Sequence, residues 1–299
     1  MKSNPIPELD KLFNEVRTYR KSSNLKELFQ FIKRFRDIAP YNAMLLHIQK
    51  PGSQFVASAY DWSSKFNRYI KPGARPLIIL RPFGPVSFVF ELGDTEGKEP
   101  FPQELLSPFD AEGKLPKNAI DNLIKYMKFD GISYNEADHG TSSAGFIKVD
   151  NSAMEQSVIS GKKEIWLKIL YNMVVNKNLN QEAKFSTIVH ELGHAYCGHL
   201  GTPDEKWWTD RHGLGNSEYE FEAESVCWLV CERMGIKNPS AEYLRGYLDN
   251  NGEIPDVSID TVLKAVGMIE ALIWGRKEPR KEIVTKNIDY PRDTLGLAY

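Results

Sequence analysis

Apolar positions follow a helical period at the start of this chain, alternate in its middle and return to a helical period towards its end. Leu9, Leu12, Phe13 and Val16 predict a helix over residues 7–19. Leu25, Leu28, Phe29, Ile32 and Phe35 predict a second helix. Asn24 would be its N-cap, Lys33, Arg34 and Arg36 crowd its end, and Pro40 stops it. Residues 41–48 read as a short apolar helix, terminated by Lys50, Pro51 and Gly52. Residues 77–80 and 86–90 read as strands around an Arg-Pro-Phe-Gly-Pro turn. Between 92 and 117, Gly93, Gly97, Pro100, Pro102, Pro108, Gly113 and Pro116 recur among acidic residues, the composition of a linker. A helix over 118–129 follows, then strands over 131–134, 144–149 and 164–171. Helices over 181–199, 217–234, 240–249 and 258–274 complete the pattern, and the stretch after Gly275 is charged and aperiodic. The expected fold is α+β. A smaller basic N-terminal α+β module (1–92) is joined by a linker (93–117) to a larger domain (118–275) with a charged tail (276–299).

Composition narrows the class. With 299 residues, 41% of them hydrophobic and 26% charged, the chain is of ordinary globular type, which excludes a mainly disordered chain, collagen and a disulfide scaffold. Apolar runs such as Leu77 to Leu80 are far too short for a membrane span, and the first residues show no apolar stretch of signal-peptide length. Three cysteines suit a reducing compartment, so the expected location is the cytoplasm, without a membrane partner.

The net charge of −2 hides an asymmetry. Up to Pro82 there are 15 Lys+Arg against 6 Asp+Glu, which leaves 23 against 34 from Phe83 onward. Two units with different partners would show such a split, and a basic unit favours nucleic acid or another polyanion. Two solvated surfaces of opposite sign would show it as well.

The strongest chemical signal is His190-Glu191-Leu192-Gly193-His194, an H-E-x-x-H motif. On a helix both imidazoles project from one face, which suits two corners of a tetrahedral zinc site. Glu191 is directed elsewhere and can act on a water as general base. Phe185, Ile188, Leu192, Ala195 and Tyr196 form an apolar stripe roughly opposite the two histidines, so the helix can bury one face while the other carries metal. Such a site hydrolyses peptide bonds, with Zn2+ polarising the carbonyl and a protein or peptide as substrate. The strand expected over 164–171 is placed to hold that substrate as an added strand.

A catalytic zinc needs a third protein ligand. If the helix continues, His199 points about 140° away from His194, onto the apolar stripe, and reads as a helix-end or core histidine. His212 lies in a loop-like segment and is a lesser candidate for ligand; it and Tyr219, like Tyr196, are candidates for contacting an oxyanion. Glu220 and Glu224 are i and i+4 on one helix face, whereas Glu218 and Glu222 fall on the other side. One carboxylate of the first pair can ligate while the other accepts a hydrogen bond from a ligand imidazole. An acidic helix start is also what the macrodipole favours by itself. Cys227 and Cys231 read as small core residues.

His190–His194 together with Glu220-x-x-Ala223-Glu224-x-Val226 resembles the ImmA/IrrE metallopeptidases over residues 130–250. The chain departs from that family where Cys227-Trp-Leu-Val-Cys231 follows the motif. The resemblance implies a zincin-like (gluzincin) domain with Glu220 as third ligand and Glu224 orienting a histidine. Glu224 as ligand is the rival assignment. It also implies a DNA-binding regulatory protein as substrate. Tyr41-Asn42-Ala-Met-Leu-Leu46, Trp62 and Ile70-Lys71-Pro-Gly73-Ala-Arg75-Pro-Leu-Ile-Ile79 resemble the single-stranded-DNA-binding domain of ArdC-like antirestriction proteins, which also place a zincin domain after it. Trp62, Lys65, Arg68, Lys71 and Arg75 are then the expected contacts to single-stranded DNA, aromatics for bases and cations for the backbone, while Trp62, Phe66 and Tyr69 read equally well as core. The alternative function is therefore an antirestriction, DNA-binding protein whose zinc is structural or rarely catalytic. A regulator that needs a partner to act is a third.

Overall fold

The computed structural model of the chain describes residues 22–35, 37–81, 84–102, 115–139, 144–236, 244 and 255–289. The helix expected over 7–19, and that over 240–249 apart from Leu244, lie outside the described residues. Two compact units share the chain: residues 1–114 with 232–264, and residues 115–231 with 265–299. The second range departs from the expected 118–275, and the chemistry at Arg233 gives the reason. Its buried guanidinium donates to the carbonyls of Ile32, Phe35 and Ile38 at 3.0, 2.8 and 3.0 Å. These carbonyls lie in the last turn of the helix that ends at Arg34 and in the turn that follows it. Helical periodicity in the sequence says that a face is buried, not which core receives it.

In the first unit, helices α1 (Ser22–Arg34) and α2 (Pro40–Gln49) precede strand β1 (Val56–Ala57), helix α3 (Ala59–Phe66) and strands β2 (Arg68–Ile70), β3 (Leu77–Arg81), β4 (Gly84–Glu91) and β5 (Thr95–Gly97). The strand order is β1-β4-β3, with β2 paired to β5. The edge of β3 is closed without another strand. Asn42 accepts from Leu80 N and donates to Leu80 O at 2.9 and 3.0 Å, and Gln49 does the same at Ile78 with both distances 2.8 Å. Seven residues apart on α2, the two amides satisfy backbone groups that would otherwise invite another chain. Part of the expected linker is thus structured, since β5 pairs with β2.

Helix α3 has no counterpart in the sequence reading. Ser58 caps it, accepting from Asp61 N at 3.0 Å. Its Trp62 is fully buried among Phe55, Phe66 and Phe101, and its indole donates to Phe90 O at 2.8 Å.

The second unit holds α4 (Ala119–Met127), strands β6 (Ile132–Ala137), β7 (Gly145–Val149), β8 (Glu155–Ser160), β9 (Lys163–Lys168) and β10 (Tyr171–Asn176), then helix α5 (Gln181–Tyr196). Helices α6 (Asn216–Arg233) and α7 (Ile259–Ile273) each carry residues of both units, and β11 (Val284–Asp289) follows. The mixed architecture is α+β. One sheet runs β6-β10-β7, with β10 parallel to β6 and antiparallel to β7, and the other runs β11-β9-β8, wholly antiparallel.

The strand expected over 164–171 is two strands, β9 and β10. The chain breaks between them where Ile169 N bonds to Met154 O and Leu170 N to Gly131 O. Each is the middle strand of its sheet, so neither offers an open edge to a substrate. The stretch after Gly275 was expected to be aperiodic, yet it supplies β11. Its entry is anchored by Lys277 and Arg280, which grip the buried Asp130 at 2.8 and 2.7 Å. No helix among the described residues is long and apolar enough to cross a membrane.

Candidate metal centre

Helix α5 begins at Asn180, whose side chain accepts from Ala183 N at 2.8 Å. Its predicted stripe of Phe185, Ile188, Leu192, Ala195 and Tyr196 is buried. On the other side His190 and His194 stand with Nε2 atoms 3.1 Å apart. Helix α6 approaches α5 closely at Gly193. A Cβ there would meet Ala223 Cα at 3.2 Å and the Ala223 carbonyl oxygen at 3.3 Å. This contact, between a glycine and an alanine, carries the carboxylates of α6 to the histidines. Glu220 lies 3.6 Å from His190 Nε2 and 3.8 Å from His194 Nε2. Glu224 lies 3.5 Å from His190 Nδ1, on the opposite edge of that ring. Its Oε2 is buried without a hydrogen-bond partner. His190, His194 and Glu220 form a group whose donor atoms can hold a metal ion.

Glu191 is nine-tenths buried beside them. Burial raises the pKa of its carboxyl and the charge of Glu220 adds to this, while His190 and the Ile147 N–H of β7 act in the other direction. His194 is pushed down to about 3 by burial first, then by His190 and His199. Its imidazole is therefore neutral at physiological pH, the form that can donate a lone pair to a metal.

A second cluster sits directly behind the first. Helix α5 ends in a Schellman motif: Gly198 adopts φ +76°, its N–H bonds to Ala195 O, and His199 N bonds to His194 O, both at 3.1 Å. Only glycine fits at 198, because a Cβ would stand 2.0 Å from the Thr209 carbonyl oxygen. The reversal corrects the expected direction of His199. Instead of lying 140° away, its Nδ1 returns to 2.9 Å from His194 Nδ1. His199 Nε2 meets Glu222 Oε2 at 2.9 Å, and Arg211 holds the same carboxylate through both oxygens, with 2.7 Å from Nη2 to Oε1. Arg211 is delivered by its own N–H, bonded to Gly198 O at 2.9 Å. Cys197, His199 and Glu222 are all buried. Sequence reasoning set Glu222 aside and did not single out Arg211. The signal that could have found them is Gly198, a C′ glycine followed by a histidine.

The remaining expected residues fall elsewhere. His212 is exposed, with Nδ1 on Asp210 at 2.6 Å, and the Tyr219 hydroxyl donates to the His212 carbonyl while its ring lies on His199. Trp62 is fully buried, so of its two readings the core one holds and its indole has no face to offer a base. Arg68 is spent on structure, holding Thr95 and the Glu99 carbonyl beside β5. Lys65 pairs with Asp61 at 2.8 Å, Lys71 donates to Gly93 O, and Arg75 is exposed. The exposed aromatics of this region are Tyr60, Tyr69 and Phe88, not Trp62. Among the described residues the outer strand next to α5 is β7, whose Gly145 leaves no room for a Cβ against Thr187 and Val174.

Comparison with protein-family models, with curated proteins and with solved structures finds no match to this chain.

Proposed function

We propose that the chain is a zinc-dependent endopeptidase whose metal is held by His190, His194 and Glu220. The convergence of these three donors is the observation that carries the reading. A tetrahedral zinc with bonds of about 2.0–2.2 Å needs donor atoms about 3.3–3.5 Å apart. The imidazole nitrogens are 3.1 Å apart, and Glu220 brings Oε2 to 3.6 Å from His190 Nε2 and Oε1 to 3.8 Å from His194 Nε2, distances close to that spacing. The set of two neutral imidazoles and one carboxylate suits zinc and leaves a fourth position open. Glu224 sits on the non-ligating nitrogen of His190, which favours Glu220 as ligand and Glu224 as the group that orients the ring.

Bound there, zinc lowers the pKa of a coordinated water to about 7 and polarises a substrate carbonyl. Glu191 takes a proton from the attacking water and delivers it to the leaving amine. Its partial burial and its raised pKa suit a group that must both accept and return that proton. An extended peptide would lie along β7, the outer strand of its sheet among the described residues, close to Glu191 through Ile147. The test is hydrolysis of quenched-fluorescent peptides and of casein by the zinc-loaded chain. Wild type is expected to cleave, and Glu191→Gln to retain zinc without cleaving. Equal cleavage by both would reject the mechanism.

A second reading, binding of single-stranded DNA by the first unit, rests on the exposed rings of Tyr60 and Tyr69 beside the exposed Lys65, Lys71 and Arg75. Salt-sensitive gel shifts of short single strands that Tyr69→Ala weakens would support it; no shift at low salt would remove it.

A further inference from the structure

We propose that His199, clamped by Glu222 and Arg211, is a positioning residue that sets the tautomer of His194 and so prepares its Nε2 for metal. The inference rests on the metal reading above and deepens it.

Donors and acceptors alternate along one chain of contacts from Arg211 to His194. Arg211 donates to both oxygens of Glu222, so this fully buried carboxylate is ionised and only accepts. The nitrogen facing it, His199 Nε2 at 2.9 Å, must therefore carry a proton. In a neutral ring the other nitrogen, Nδ1, is then bare and accepts. What faces it is His194 Nδ1 at 2.9 Å, which must donate. With its proton on Nδ1, neutral His194 presents a lone pair at Nε2, towards His190 Nε2 and Glu220. For a neutral His199, each link leaves one choice for the next. The reverse arrangement would aim a bare His199 Nε2 at a carboxylate.

The same geometry decides what the inner cluster is not. Cys197, His199 and Glu222 could hold an ion by their spacing alone. The guanidinium of Arg211 already supplies the positive charge at Glu222, and both nitrogens of His199 are engaged. The inner cluster therefore serves the outer one rather than binding a second metal. Partners of this kind behind a ligand histidine typically affect metal affinity about 10- to 100-fold.

The test uses the full chain. Long-range proton–nitrogen NMR of the wild type, metal-free and zinc-loaded, reads the tautomers directly without any substitution. His194 is expected as the Nδ1–H form and His199 as the Nε2–H form in both states. His199 protonated on Nδ1 would overturn the proposal. Zinc affinity is measured alongside by chelator competition for wild type, His199→Gln and His199→Leu, with the melting temperature of each metal-free chain. Glutamine keeps an acceptor for His194 and a donor for Glu222, so it is expected to stay near wild type. Leucine, of similar size, is expected to lose about 10- to 100-fold. Equal affinities for the two variants would overturn the relay alone. A wild-type chain that binds no zinc would overturn the metal reading itself, and the relay with it.

Discussion

Two clusters of metal-ligating residue types lie back to back at the end of helix α5. The outer one, His190, His194 and Glu220, is partly open to solvent, and its donor atoms converge with no cationic side chain among the contacts described. The inner one, Cys197, His199 and Glu222, is closed, and Arg211 supplies its positive charge. Ligand spacing alone does not separate the two. What separates them is where the balancing charge comes from: a guanidinium built into the chain in one case, an ion from outside in the other. Burial without compensation would be costly, which is why the inner carboxylate is held by Arg211 and His199, whereas the outer one is half-exposed.

Substitutions can break this contrast at several strengths. The largest expected effect is at Glu191. Glu191→Gln should lower peptide cleavage about 100- to 10,000-fold with zinc content unchanged, read by cleavage kinetics and metal analysis. Next, Glu222→Ala and Glu220→Ala should part company. Glu222→Ala strips Arg211 and His199 of their buried partner and should cost on the order of 3–5 kcal/mol in denaturant unfolding. Glu220→Ala, on a half-exposed side chain, should leave metal-free stability nearly unchanged while zinc is lost. Similar unfolding curves for the two would erase the distinction between the clusters. In the first unit, Trp62→Ala should cost about 3–5 kcal/mol, whereas Tyr69→Ala should have little effect on stability. That pair separates a core ring from a surface ring. A smaller effect is expected at the helix contact. Gly193→Ala should cost about 1–3 kcal/mol, because α5 and α6 must move apart, and should weaken zinc binding as Glu220 withdraws.

Much of α5 could be read from the sequence, because its stripe from Phe185 to Tyr196 and its two histidines obey one period. The helix pair also came through, since Glu220 and Glu224 share a face. Local patterns missed what depends on the third dimension. His199 was projected along a continuing helix, but Gly198 turns the chain back on itself. Glu222 was assigned to the far side of α6 without any means of knowing that Arg211 waits there. The strand nearest the metal helix in sequence became an interior one, and the outer place among the described residues fell to β7, because sheet order is a tertiary choice. Trp62 shows the same limit from the other direction: an indole among basic residues reads as a base-stacking platform, and only its burial against Phe55, Phe66 and Phe101 shows it to be core.

The most direct measurement is anomalous X-ray diffraction at the zinc edge from crystals grown with zinc. A single peak is expected within about 2.0–2.2 Å of His190 Nε2, His194 Nε2 and one oxygen of Glu220. A peak among Cys197, His199 and Glu222, or no peak on α5 at all, would contradict the assignment.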